Sequence, residues 1–335
     1  MTTARTRRLR PTRWSIASLA WAAVAAVGCA PDARWIAVTG DGTGRIVTVA
    51  ADGTSDTLLV AADSATPNQV QFGRDGWSLF VLSAADPPSI LRTRRPDGRV
   101  LASFGLLDVA QLFVLDGKGR RAFVARGSIL EIVQLADGTR SRTLTVCSRR
   151  AAALVPFEAT SRMFVICTDD VVAEIDTRLQ TVLRTTPIDD PHAPCDPAGA
   201  SMSDNGALLF VSCAASKQIL YLDRVTLVTL TRLTLGEPGG RLVVSGGRGI
   251  ALAAEQLLLL DLRRRAVTAA VRLPAAGRDL AVTADGRLLI LAADEREARL
   301  LVYDLTASTL VELVRFDSPM RSLTSWPEAT PVFNW

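Results

Sequence analysis

The chain has 335 residues, of which 48% are hydrophobic and 21% charged, so it is neither a disordered tail nor a polar linker. One histidine in the whole sequence excludes multi-histidine metal centres. The formal net charge of +4 comes from residues 1–28, which hold Arg5, Arg7, Arg8, Arg10 and Arg13 and no acid. Without those five, 33 basic face 34 acidic side chains, a net of −1, and the case for a nucleic-acid partner loses its main support.

In chain order, the basic stretch Met1–Arg13 comes first, followed by the apolar stretch Trp14–Val27. Fourteen residues are too few to span a bilayer as a helix but suit the apolar core of a signal peptide. The stretch ends in Ala26-Val27-Gly28-Cys29, which resembles the lipobox of bacterial lipoproteins, although Ala26 stands where that motif usually has leucine. That resemblance implies a lipidated Cys29. Ala30 in place of the aspartate that retains many lipoproteins on the inner membrane implies a periplasmic or outer-membrane location. The expected division is therefore a signal peptide over 1–28 and a single domain over 29–335.

Short apolar runs then recur from Arg34, Trp77, Arg120, Arg162, Ala207, Gly249 and Arg287, on average about 42 residues apart. Most follow a turn signal: Asp75-Gly76, Lys118-Gly119, Asn205-Gly206 or Asp285-Gly286. Such pairs predict two-residue hairpins, with glycine supplying the positive φ. A second punctuation runs in parallel, in which an apolar strand ends in an aspartate: Asp52, Asp97, Asp137, Asp176, Asp223, Asp261 and Asp304. Each is followed by a strand rich in Val, Leu and Thr. The unit is thus four strands, and in the last complete copy they are 280–283, 287–292, 299–304 and 309–316.

Four antiparallel strands repeated seven times predict an all-β fold, a seven-bladed β-propeller. The middle strands are apolar on both faces, as expected of blades sandwiched between neighbours. The chain begins on a second strand, and Met320–Thr324 sits where an eighth first strand belongs. A C-terminal strand completing the N-terminal blade is therefore expected to close the ring; residues 26–31 are the other candidate for that slot. The tail 329–335 has the register of a further strand but is too short for a blade.

The Asp-Gly turn, apolar strand and following "IDT", "LDR", "LDL" or "YDL" resemble the YVTN-type repeat of lactonase-like and surface-layer propellers. Ser203-Asp204-Asn205-Gly206 with its strand, and Thr283-Ala284-Asp285-Gly286 with its own, carry the likeness most clearly. It covers about residues 31–326 and implies fold rather than activity, because the shared residues are turn and core positions. The fourth repeat departs most, with Ala159-Thr160-Ser161 in place of the turn glycine.

Setting Cys29 aside leaves Cys147, Cys167, Cys195 and Cys213, an even number in a chain read as exported. Cys167 and Cys213 end second strands, while Cys147 and Cys195 lie in the connections leading into the same blades. The expected pairs are Cys147–Cys167 and Cys195–Cys213. A four-cysteine zinc site is the rival reading, and it lacks any CxxC spacing. No metal and no cofactor are expected.

His192 lies beside Asp189, Asp190 and Asp196 in a proline-punctuated connection, where a general base, a ligand contact or a merely solvated side chain are all readable. Thr39–Gly44 is glycine-rich but bridges two strands and reads as a hairpin loop. Counting eight residues back from each second strand gives the channel end of each first strand: Gln69, Leu112, Leu154, Gly199, Arg241, Asp279 and Arg321. The preceding positions add Asn68, Gln111 and Arg278. Arginines thus gather on blades 6, 7 and 1, where they form either an anion site or an ion-pair network with Asp279. Two functions follow. One is a non-catalytic, monomeric envelope platform for a protein, a glycan or a small anionic ligand, touching the membrane only through its lipid anchor. The other is a lactonase-like hydrolase or an oxidoreductase acting at the channel mouth. The scarcity of acid and base groups favours the platform.

Overall fold

The structure is a computed structural model and describes residues 35–40, 45–50, 55–59, 67–95, 97–188, 194–283 and 286–326. The leader with Cys29, the loop 41–44, Asp52, His192, Asp285 and the tail 329–335 lie outside the described residues.

The fold is an all-β propeller of four-stranded antiparallel blades, and the described strands pair into seven such sheets. The first sheet runs Met320–Trp326, Trp35–Gly40, Arg45–Ala50, Ser55–Leu59. The seventh runs Gly277–Val282, Leu288–Ala293, Ala298–Asp304, Thr309–Phe316. The other five begin with Pro67–Phe72, Leu112–Leu115, Ala151–Phe157, Pro197–Met202 and Leu242–Ser245. Each of these leading strands, called inner strands below, lies against the inner strand of the next sheet. Met320–Trp326 touches both Pro67–Phe72 and Gly277–Val282.

The core lies between sheets, not within them. Phe80, Leu82 and Ile90 of sheet 2 meet Phe113, Ala122 and Val124 of sheet 3. Phe164, Ile166 and Val172 of sheet 4 meet Leu209, Val211 and Leu220 of sheet 5. A middle strand therefore buries both faces, and Ser78–Ser83 is buried at every position. This is the physical reason the period-two alternation is missing from the sequence.

The first turn of the sheets differs from expectation. Two-residue hairpins were predicted at the four Gly-bearing turns, yet five residues separate the strands in sheets 2, 3, 5 and 7. Gly76, Gly119, Gly206 and Gly286 do take positive φ, and each donates its N–H to the residue three before it, at 2.8–3.0 Å. The pair is thus the end of a longer turn. A two-residue connection does occur in sheet 6, at Gly246-Gly247, where both residues have positive φ. In sheet 4, Ser161 takes the left-handed conformation in place of glycine (φ 53°).

The aspartate punctuation also resolves differently. Asp176, Asp223, Asp261 and Asp304 do end third strands, but Asp97 and Asp137 fall three residues beyond the ends at Arg94 and Gln134. The turn is nonetheless the same in both forms. Four residues after each strand end the chain turns left-handed, at Gly98, Gly138, Gln180, Leu227, Arg265 and Ser308. A carboxylate holds its backbone from either position. Asp304 Oδ1 accepts from the N–H groups of Thr306 and Ala307 at 2.7 and 2.9 Å, and Asp137 Oδ1 from that of Thr139 at 2.9 Å.

Candidate functional site

The inner strands share an irregularity at their starts. In sheets 1, 2, 4, 5 and 7 the register skips the second residue, so that Arg321, Asn68, Ala152, Ala198 and Arg278 each sit on a β-bulge. Bulges bend a strand and re-aim a side chain, and they are frequent beside binding sites. Arg278, Arg321 and Ala198 are exposed there, and Asn68 is half-buried.

The residue after the bulge does different work. Gln69 Oε1 accepts from Phe113 N–H at 2.8 Å, and Gln71 Oε1 from Leu115 N–H at 3.0 Å, fastening sheet 2 to sheet 3. Asp279 Oδ2 accepts from Leu323 N–H at 2.9 Å, fastening sheet 7 to sheet 1. Ser201 Oγ and Asp204 Oδ2 hold Val244 N–H and Gly247 N–H at 3.2 and 2.6 Å, fastening sheet 5 to sheet 6. The channel edge of an inner strand would otherwise leave these donors unpaired, which a buried backbone seldom tolerates. At Gly199 the neighbouring backbone itself comes close, since a Cβ there would lie 2.5 Å from Gly240 O.

Asp279 is buried, and its Oδ1 accepts from Leu280 N–H at 2.9 Å and lies 3.2 Å from Arg241 Nε. One carboxylate thus joins sheets 6, 7 and 1. The inner strands surround a cavity of about 860 Å³, lined by polar Gln69, Ser201 and Thr324 and by apolar Leu154, Met202, Val243, Val244 and Ala281. Among the described residues, its charged lining residues are Arg241 at one end and Asp204 at the other.

The sequence candidates therefore separate. Gln69 and Arg241 line the cavity, with Gln69 committed to a backbone donor. Asp279 stands behind Arg241 as a structural anchor. Arg278 and Arg321 occupy bulges of adjacent sheets. Gln111 is exposed and accepts from Gly127 N–H at 2.9 Å within its own sheet. Gln71, Ser201 and Asp204 escaped sequence reasoning because no local signal marks a side chain whose partner lies one repeat away.

Both expected disulfides are present, Cys147–Cys167 and Cys195–Cys213. The Asp169 carboxylate lies within 4.8 Å of the first pair, but a disulfide offers no thiolate to a metal. That carboxylate accepts instead from Ser148 N–H at 3.0 Å. Asp170 does the same for the next blade, its two oxygens taking Cys195 and Asp196 N–H at 3.2 and 3.0 Å. The connections into sheets 4 and 5 are thus pinned by covalent bonds and by carboxylates together.

No family model matches the chain, and no curated protein matches it. Among solved structures it is similar to a functionally unknown protein from Desulfotomaculum acetoxidans DSM 771, with a TM-score of 0.72 and 11% identity over 87% of this chain and 98% of that one. A chain of a mitotic checkpoint complex aligns with a TM-score of 0.60 and 11% identity, over 72% of this chain and 74% of that one. At such identities the likeness shows the fold alone.

Proposed function

We propose that the seven sheets are the blades of one seven-bladed propeller of the YVTN type, closed by the strand Met320–Trp326. In this reading the chain is exported behind the leader 1–28, anchored through Cys29, and serves as a non-catalytic binding platform whose site is the central channel. The observation that carries the binding role is the cavity lining. Its two charged side chains among the described residues, Arg241 and Asp204, are each engaged with another part of the fold, and the remaining described wall mixes aliphatic side chains with hydroxyl and amide groups. A few fixed polar groups in an apolar wall suit recognition more than proton transfer.

Two measurements test the reading. Incubation of the purified chain with a lactone panel and with a redox-dye panel is expected to give no turnover, and turnover in either would establish the enzyme alternative. Fractionation tests the anchor: Cys29→Ala is expected to move from membranes to the soluble fraction, because the several acyl chains of a lipoprotein hold stably where a single chain does not. A variant that still pelleted with membranes would remove the lipoprotein assignment.

A further inference from the structure

The two disulfides are alike in placement and unlike in what surrounds them. Each joins the connection entering a sheet to the end of that sheet's second strand. Two residues past the strand, the first pair has Asp169 where the second has Ala215. The sulfurs of Cys147 and Cys167 and a carboxylate oxygen of Asp169 all lie within 4.8 Å of one another. Among the described residues, no other three His, Cys, Asp or Glu side chains form such a grouping. Asp169 spends one oxygen on the fold, since Oδ2 accepts from Ser148 N–H at 3.0 Å and from the Ser148 hydroxyl. Its Oδ1 is buried and has no hydrogen-bond partner. A carboxylate oxygen shut away from water without a donor is costly and calls for a specific explanation. Asp170, the next residue, differs, because Cys195 N–H and Asp196 N–H occupy both of its oxygens.

We propose that Cys147, Cys167 and Asp169 form a redox-gated site for a soft divalent cation of the zinc type. An external dithiol passes two electrons and two protons to the S–S bond, leaves as its own disulfide, and frees both thiols. The cation then binds the two sulfurs, displaces both thiol protons to solvent, and takes Asp169 Oδ1 as its third ligand. Thiolate sulfur with a carboxylate oxygen is a donor set that zinc accepts, and water completes the tetrahedron. At about 2.3 Å per zinc–sulfur bond, the freed sulfurs need separate only to about 3.8 Å. That separation lies inside the 4.8 Å span the three donors already share. The cation and its water have a side to enter from, because Ser148 is exposed at the edge of the buried cysteines. Two thiolates and a carboxylate outweigh a divalent cation by one negative charge. Arg149, whose positive field already reaches Asp169, offsets it.

The test uses the purified full chain, either oxidised or reduced with dithiothreitol that is then removed without air. Cobalt(II) is the probe, because thiolate ligation gives it an intense charge-transfer band. The reduced chain is expected to take up one equivalent with that band and to release it to zinc, and the oxidised chain to show no band. Alkylation with peptide mapping is expected to find Cys147 and Cys167 shielded by zinc, with the labelling of Cys29, Cys195 and Cys213 unchanged by it. Asp169→Asn keeps an acceptor for Ser148 N–H and is expected to weaken cobalt about tenfold or more. Cys147→Ser/Cys167→Ser is expected to abolish the band. Circular dichroism follows the fold of the reduced chain, and a β signal that is lost and not regained with zinc overturns the proposal. An absent band or an undiminished affinity in Asp169→Asn overturns it too. So does a band that survives Cys147→Ser/Cys167→Ser, or zinc shielding shared equally by the second pair.

Discussion

The recurring aspartates illustrate how a carboxylate becomes a fold residue. Backbone N–H groups pointing at Asp304, first that of Ala307 and then that of Thr306, hold its carboxyl below the ordinary range, and the Asp223 carboxyl is lowered by Thr226 in the same way. Asp97 is lowered to about 2, chiefly by the Arg94 guanidinium. A carboxyl more acidic in the folded state contributes stability at neutral pH and loses it as pH falls through the folded value. The melting temperature of the wild type is therefore expected to exceed that of Asp304→Asn at pH 7, with the gap closing below about pH 4. A gap independent of pH would mean that the carboxylate charge does not stabilise the turn. The repeat of these residues was plain in the sequence. Their two distinct positions were not, because Asp97 and Asp176 hold different N–H groups of the same kind of turn, that of Arg99 in one case and those of Arg178 and Leu179 in the other.

Between neighbouring strands and sheets, the fastenings carry the energetics. Asp279→Ala leaves the buried N–H of Leu323 without its acceptor and Arg241 without its partner. It is expected to cost about 2–3 kcal/mol, most of it from the stranded donor, since the ion pair itself is half-exposed and screened. Asp279→Asn keeps an acceptor and is expected to cost about 1 kcal/mol. Denaturant titration of both variants measures the difference, and equal losses would show that charge, not the hydrogen bond, is what counts. The disulfides act elsewhere, on the connections into sheets 4 and 5. With sequence separations of 20 and 18, each contributes roughly 3 kcal/mol by restricting the unfolded chain. Replacing Cys195 and Cys213 by serine is expected to lower stability by about that amount, and peptide mapping without reductant is expected to return only these two pairs. The pairing was legible because the repeat places each cysteine on a known strand or connection. The inter-sheet hydrogen bonds of Gln69, Gln71 and Ser201 were not, since an amide or hydroxyl near a strand end looks the same whether it faces water or a neighbouring backbone.

For the whole molecule, Met320–Trp326 is the strand on which most depends. It supplies Met320 and Leu323 to the core shared with sheet 7, and its backbone pairs with Trp35–Gly40. Losing two such buried side chains costs about 2–5 kcal/mol each, and the bare strand left behind invites pairing with other chains. A chain ending at Pro319 is expected to aggregate or to elute as oligomers on size exclusion. A monomer with the wild-type melt would show that this strand is dispensable. The sequence by itself determined the class of fold, the four-strand unit, the glycines of the first turns and the cysteine pairs, because turn chemistry and burial on both faces repeat at a fixed interval and need no distant information. Tertiary structure alone decided which polar residues near the channel hold a neighbouring backbone. A hydrogen bond to a backbone one repeat away consumed Gln69 and Asp279, whereas bulges, invisible in composition, set Arg278 and Arg321 at the rim.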